Sequence, residues 1–234
     1  MAPDLEHLDA AGVLEYAVER FHPRLTVACS FQKEASVVLD LMLRVAPDAS
    51  VFTLDTHVLF PETYETWKRV EQRYGIEVAV YEGPSLGRQA ALHGDRLWDR
   101  DPDACCGLRK VEPLRRALQD ADAWVAGLRR EQSPSRAATP KLAWDARHER
   151  WKFNPLADWS EEDVWSYIAE HDLPYNALHD QGYASIGCTH CTRPGTGRDG
   201  RWAGRGKSEC GIHGAPAPDG NGPAVAVGES GAPA

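Results

Sequence analysis

The sequence has no apolar run long enough to cross a bilayer, which excludes a helical membrane anchor. Positive charge is missing from its start: "MAPDLEHLDAAGVLEYAVERF" carries acidic residues where a secretory signal needs Lys or Arg. Leu5, Leu8, Val13, Leu14, Ala17 and Val18 recur there close to helical spacing, so the expectation is an amphipathic helix of a cytoplasmic protein. A basic excess is also absent. With 26 Lys and Arg against 35 Asp and Glu, the formal charge is -9, which argues against nucleic acid as a partner and leaves room for a small anion only where cations cluster locally. Without an export signal the six cysteines are expected to stay reduced, which sets aside a disulfide scaffold and favours metal binding or thiol chemistry. Large apolar residues are scarce in 214–234, a Gly-, Pro- and Ala-rich stretch expected to be a disordered tail. There is no internal repeat.

The 234 residues suffice for one domain, or one domain with an appendage, around a single core. Short, mostly apolar runs, "LTVACS" at 25–30, "SVFTLD" at 50–55, "EVAVYE" at 77–82 and "DAWVAGL" at 122–128, alternate with helix-length segments. The helical candidates are "ASVVLDLMLRVA", "PETYETWKRVEQRYG" and "LRKVEPLRRALQDA"; Pro61 suits a first turn and Gly75 a C-terminal stop. This pattern predicts an α/β, doubly wound, mostly parallel sheet, whose ligand sits outside the carboxyl ends of the strands. Ser160 with Asp163 approximates a capping box ahead of a further helix carrying Val164, Trp165 and Ile168. From Gly182 onward periodicity fades while Gly, Arg and cysteine accumulate. The expected organisation is therefore an α/β domain over 1–181, an irregular segment over 182–213, and the tail.

Three strand-end turns carry ligand-suited residues. "SFQKEAS" follows the first strand, where Ser30 and the helix start suit an anion or, equally, a plain capped connection. It is no P-loop, since G-x-x-x-x-G-K-S/T is absent. "LDTHVLFPET" places Asp55 and Thr56 where a ribose or adenine contact is plausible, although turn formation explains them as well. "GLRREQSPSR" joins Gly127, which lets backbone approach a ligand, to Arg129, Arg130 and Arg136; three guanidiniums in one loop repel unless solvated or matched to an anion.

The cysteines are the strongest signal. Adjacent Cys105 and Cys106 in "DACCGLRK" and the C-x-x-C pair Cys188 and Cys191 in "IGCTHCTRPG" offer four thiolates, the complement for one 4Fe-4S cluster or a structural zinc. Adjacent cysteines fit the separate iron corners of a cube more easily than a single tetrahedral ion. Cys29 lies in an apolar strand and reads as a small core residue. Cys210 lies among Arg198, Arg201, Arg205, Lys207 and His213, cations that lower a thiol pKa and attract an anionic electrophile.

In these residues the chain resembles the assimilatory adenylyl-sulfate reductases, the iron-sulfur branch of the adenylyl-sulfate and phosphoadenylyl-sulfate reductase family. The resemblance runs from about residue 20 to 213 and rests on "CC" with "CTHC", on "GLRREQSPSR" and on the terminal "ECGIH", in that order. It implies that Cys210 attacks the sulfur of adenylyl sulfate, expelling AMP and leaving an S-sulfocysteine from which reduced thioredoxin or glutaredoxin releases sulfite. It implies that "SFQKEAS", with Ser30 and Lys33, and "GLRREQSPSR", with Ser133, hold the phosphosulfate, and that "LDTH" contacts the nucleotide. Lys110 is implied to bridge cluster and substrate, with Arg198, Arg201 and His213 near the closed site. Two positions depart from the family pattern: His57 stands where Gly is common, and Lys33 where a small residue is common. The alternatives are a reductase preferring the 3'-phosphorylated nucleotide, an ATP-pyrophosphatase-type adenylating enzyme, and a nucleotide-binding module with structural zinc. Oligomeric state is not fixed by the sequence, and a homo-oligomer stays open.

Overall fold

The computed structural model describes residues 3–213, so the expected tail at 214–234 lies outside the described residues. Helix α1 (Ala10–Phe21) starts at Asp9, whose side chain accepts from the Gly12 N–H, and buries the expected apolar stripe at Val13, Leu14 and Ala17. Strand β1 (Leu25–Ala28) leads into α2 (Lys33–Val45), then β2 (Ser50–Asp55), α3 (Pro61–Tyr74) and β3 (Ala79–Glu82). Pro61 occupies the first turn of α3, and Gly75 ends it in the left-handed region at φ 65°. The short helices α4 (Leu86–His93), α5 (Leu97–Arg100) and α6 (Pro102–Cys106) follow.

The third expected helix forms in two pieces. Gly107–Val111 is a π turn in which the Glu112 N–H reaches the Gly107 carbonyl, five residues back, and α7 (Glu112–Ala117) continues from it. Pro113 supplies the reason: it has no N–H, and its ring conflicts with the carbonyl four residues earlier, so the preceding turn widens. Strand β4 (Ala123–Val125) comes next, and then a hairpin that the apolar pattern did not reveal, β5 (Leu142–Asp145) and β6 (Arg150–Phe153). Helix α8 (Glu161–Glu170) begins with the reciprocal Ser160–Asp163 capping box.

The six strands form one sheet in the order β3-β2-β1-β4-β6-β5, parallel throughout except for the β5–β6 hairpin. The doubly wound, mostly parallel α/β expectation therefore holds, with an antiparallel edge added. Strand alternation splits the core between two faces. Val27, Val51, Val125 and Phe153 pack with Leu14, Val38 and Met42 of α1 and α2, while Phe52 and Trp124 meet Leu114 and Leu118 on the opposite face.

Chain direction reverses between β1 and β4: after β1 the chain runs outward to β2 and β3, and β4 returns on the other side of β1. Two diverging turns leave a crevice at this switch point. The segment 182–213 crosses that crevice. Beyond the 3-10 turn Thr189–Cys191 it has no helix among the described residues, and isolated bridges tie Leu59 to Cys188 and Thr192 to Arg201. No helix of the described residues is long and apolar enough to cross a membrane.

Candidate active site

A cavity of about 480 Å³ opens at the carboxyl ends of β1 and β4. The turn after β1 contributes Ser30 and Lys33, the turn after β2 contributes Thr56, the π turn Lys110, and the loop after β4 Gly127, Arg129 and Arg136. Arg198, Arg201, Cys210 and His213 close it from the C-terminal segment. Three expected contacts lie elsewhere. Asp55 Oδ1 accepts from the His57 N–H (2.7 Å) and the Tyr64 hydroxyl (2.8 Å), so it stabilises its own turn. Arg130 donates to Thr139 O (2.9 Å) and Glu6 (2.5 Å), and Ser133 Oγ pairs with Ser135 Oγ at 2.9 Å.

The crowded arginines find their anions in the protein itself. Buried Arg129 donates to Glu34 (3.1 Å) and Glu161 (2.5 Å), and Glu161 also accepts from Lys33 Nζ at 2.6 Å. Burial alone would raise the Glu161 pKa; Lys33 and Arg129 outweigh it and lower the value. Gly127 does permit a close approach, but to α2: a Cβ there would lie 3.0 Å from Glu34 Cβ. Nor does Ser30 cap α2, since the cap position is Gln32 and its side chain makes no capping bond. Ser30 Oγ instead accepts from Gln32 Nε2 at 3.3 Å, and the first helical N–H, that of Lys33, is taken by His179 Nε2 at 3.3 Å. His57 sits at φ 58°, a left-handed backbone that glycine adopts without cost.

The cations left facing the cavity gather around Cys210. Arg201 Nη1 donates to Ser185 Oγ (3.2 Å) and Ile186 O (3.1 Å), and Arg198 Nη2 to Ser208 O (2.9 Å) and Glu209 (2.9 Å). The Nε atoms of both arginines are buried without a partner among the described residues. Buried donors in that state are costly, and an anion in the cavity would satisfy them. Cys210 is buried, which disfavours its thiolate; Lys110, the Ile212 N–H and Arg201 outweigh that and lower its pKa below the usual thiol value. His213 stacks on Trp124 at 5.8 Å with its Nδ1 3.0 Å from Lys152 Nζ. Burial first, then the neighbouring Lys152 charge, holds His213 well below the ordinary histidine pKa, so it is neutral near pH ~7. Cys29 lies in the cavity wall, where burial pushes its thiol up to about 12 and leaves it inert.

Cys105, Cys106, Cys188 and Cys191 line one smaller cavity behind the first, and Lys110 lines both. Asp101 caps α6 by accepting from the Ala104 N–H, which aims the adjacent pair inward; the Cys191 N–H bonds to Cys188 O at 3.0 Å in the opposing turn. Trp98 and His190 stack over this cavity at 4.1 Å. No three of the cysteine sulfurs lie within 4.8 Å of one another.

Sequence reasoning passed over Arg109, which is 1% exposed beside these thiols. Its Nε donates to Gln89 (2.7 Å) and its Nη1 to Thr56 O (2.7 Å), while Nη2 is buried without a partner among the described residues. A buried guanidinium bonded only to neutral groups calls for an anionic neighbour. The signal in the sequence was its position, three residues beyond Cys106. Glu209 and Lys152 were passed over too, the former visible only as the residue preceding Cys210.

Residues 24–194 match the family described as "Phosphoadenosine phosphosulfate reductase domain". The adenosine 5'-phosphosulfate reductase of Shouchella clausii is 47% identical over 215 residues, covering 89% of this chain and 89% of that protein. The phosphoadenosine 5'-phosphosulfate reductase of Gloeobacter violaceus is 45% identical over 221 residues, covering 91% and 92%. Among solved structures, a phosphoadenylyl-sulfate reductase from Candida auris in complex with phosphate superposes with a TM-score of 0.72 at 33% identity, over 80% of this chain and 91% of that one.

Proposed function

The chain belongs to the phosphoadenosine phosphosulfate reductase domain family, and from that premise we propose that it reduces adenylyl sulfate to sulfite and AMP in sulfate assimilation. The observation that carries this reading is the convergence of Cys210, Lys110, Arg198 and Arg201 on a nucleotide-sized cavity at the switch point. The Cys210 thiolate attacks the sulfuryl sulfur; a sulfur–sulfur bond forms, the bond from sulfur to the phosphate oxygen breaks, and its electron pair leaves with AMP. The partnerless Nε atoms of Arg198 and Arg201 are the donors available to the charge on the phosphosulfate oxygens.

Release needs two electrons. Among the described residues the remaining thiols are Cys29, inert in the wall, and the four of the second cavity, so the reductant comes from outside. Reduced thioredoxin, or a glutaredoxin, supplies them: one of its thiolates attacks the Cys210 sulfur and expels sulfite, and its second thiol resolves the mixed disulfide, which regenerates Cys210. His213 lines the cavity as a neutral imidazole whose Nδ1 faces Lys152, leaving Nε2 to carry the proton.

Cys105, Cys106, Cys188 and Cys191 would hold one 4Fe-4S cluster. Their convergence on one cavity and the orphaned Arg109 Nη2 beside them support an anionic centre there. When bound, it supplies a fixed negative charge that cross-links the helical region to the C-terminal segment, with Lys110 between it and the substrate cavity.

A relative of equal similarity carries the 3'-phosphorylated nucleotide in its name, which favours keeping that substrate as a second reading. Sulfite production from each nucleotide with reduced thioredoxin separates the two. Faster turnover of adenylyl sulfate is expected, and a strong preference for the 3'-phosphorylated form would overturn the assignment.

A further inference from the structure

Between Asp199 and His213 the chain carries a single acid, Glu209, directly before Cys210. Arg136 grips its carboxylate in parallel, Nε to Oε1 at 2.8 Å and Nη2 to Oε2 at 2.8 Å, and Arg198 Nη2 adds a third bond to Oε2 at 2.9 Å. Ser135 Oγ stands 3.5 Å from Oε1. The third nitrogen of Arg136, Nη1, is fixed by Gln132 Oε1 at 2.6 Å. Each nitrogen of Arg136 is therefore tied within the protein while the segment is closed, three of its five N–H donors being engaged.

The other ion pairs that tie this segment to the body are weaker. Lys207 pairs with Asp103, whose side chain is 81% exposed, and Arg205 pairs with Asp99 where both are about a third exposed. Solvent and salt screen such pairs. The Glu209 pairs are the most buried, with side-chain exposures of 23% for Glu209, 10% for Arg136 and 13% for Arg198. Bidentate, partly desolvated guanidinium–carboxylate geometry is the strong form of this contact. One peptide unit away, Cys210 belongs only to a small cluster with Cys106 and Trp202, flanked by Cys191 and Ile212.

We propose that Glu209 is the positioning residue of the reacting thiol: its carboxylate, gripped by Arg136 and Arg198, seats Cys210 in the cavity, and parting these contacts exposes the thiol to an external thiol protein. The two half-reactions then place opposite demands on one carboxylate, since sulfonation needs the contacts made and release needs them open. This rests on Cys210 being the nucleophile.

The test is the alkylation of Cys210 by iodoacetamide in anaerobically purified full-length protein, followed by peptide mass spectrometry. Rates are taken from the high-pH plateau, where the thiol is ionised in every variant, so that loss of the neighbouring negative charge does not itself raise the rate. Glu209→Gln should react at least about tenfold faster, the effect of losing charge-assisted hydrogen bonds, and Glu209→Asp, which keeps the charge but shortens the reach, should fall between. In single turnover, Glu209→Gln should slow sulfonation by adenylyl sulfate while leaving release by thioredoxin unslowed. The cluster's visible absorption reports intact folding; if Glu209→Gln loses it, Glu209→Asp alone is read. A plateau rate within about twofold of the parent, or sulfonation and release slowed alike, overturns the proposal. Failure of the nucleophile reading would appear separately, as sulfite production retained by Cys210→Ser.

Discussion

The sheet domain and the segment 182–213 are built by different physics. In the sheet domain Leu14, Val37, Val125 and Phe153 are wholly buried, and its order follows from apolar surface removed from water. Across the crevice, segment 182–213 offers few large buried apolar residues, chiefly Ile186 and Trp202, and is fastened by ion pairs and by the cysteine cavity it shares with α6. Nondirectional burial suits a scaffold that must not move. Directional, separable contacts suit a segment that first seats a thiol and then presents it to another protein.

That contrast can be broken at several points. The largest effect belongs to Cys210→Ser, which should bring sulfite production to background while cluster absorption and melting temperature stay unchanged. Next comes Cys188→Ser: iron content and activity should both be lost, and limited proteolysis should cut within 198–207 while the sheet domain survives as a fragment. Simultaneous digestion of both regions would show that the sheet domain does not stand alone.

Phe153→Ala probes the other side. Removing a fully buried ring should destabilise the domain by about 3–5 kcal/mol in chemical denaturation, with the cluster spectrum of the folded fraction unaltered.

The smallest effect concerns Asp40, a buried carboxylate joining three helices. It accepts from Tyr74 of α3 (2.9 Å), Tyr167 of α8 (2.8 Å) and Arg44 of its own helix (2.7 Å). Burial raises its pKa, but these hydrogen bonds outweigh burial and the net shift is downward. A carboxylate depressed in the folded state stabilises the fold above its unfolded pKa of ~3.9, and that stability is lost as pH falls through the folded value. Asp40→Asn should therefore cost about 1–3 kcal/mol at neutral pH, and thermal melts should show its deficit shrinking below about pH 4.

The contrast also explains what could be read in advance. Strands β1, β2 and β4 were legible because both of their faces are largely buried and their sequences are mostly apolar, whereas β3 is mostly exposed and showed only through its short apolar run between helical segments. The β5–β6 hairpin was not, because "LAWD" and "RWKF" mix charge with aromatic residues. Asp145 is buried there against the His148 ring at 2.7 Å and the N–H groups of Arg147 and His148, and Lys152 where it reaches His213 and sits over the Trp124 ring at 4.7 Å. Arg129 read as a ligand contact because its partners Glu34 and Glu161 lie far off in the chain. For the cysteines, spacing gave two pairs, 105/106 and 188/191, and the fold brings both pairs to one cavity. Glu209 is the opposite case: its role depends on Arg136, 73 residues away, and only the folded chain brings them together.

The central claim is that Cys210 takes the sulfuryl group. Mass spectrometry of the anaerobically purified protein incubated with adenylyl sulfate, without thioredoxin, tests it most directly. The account predicts a sulfonate on the peptide containing Cys210, removed as sulfite when reduced thioredoxin is added. Sulfite formed with no adduct on Cys210, or an adduct on another cysteine, would contradict it.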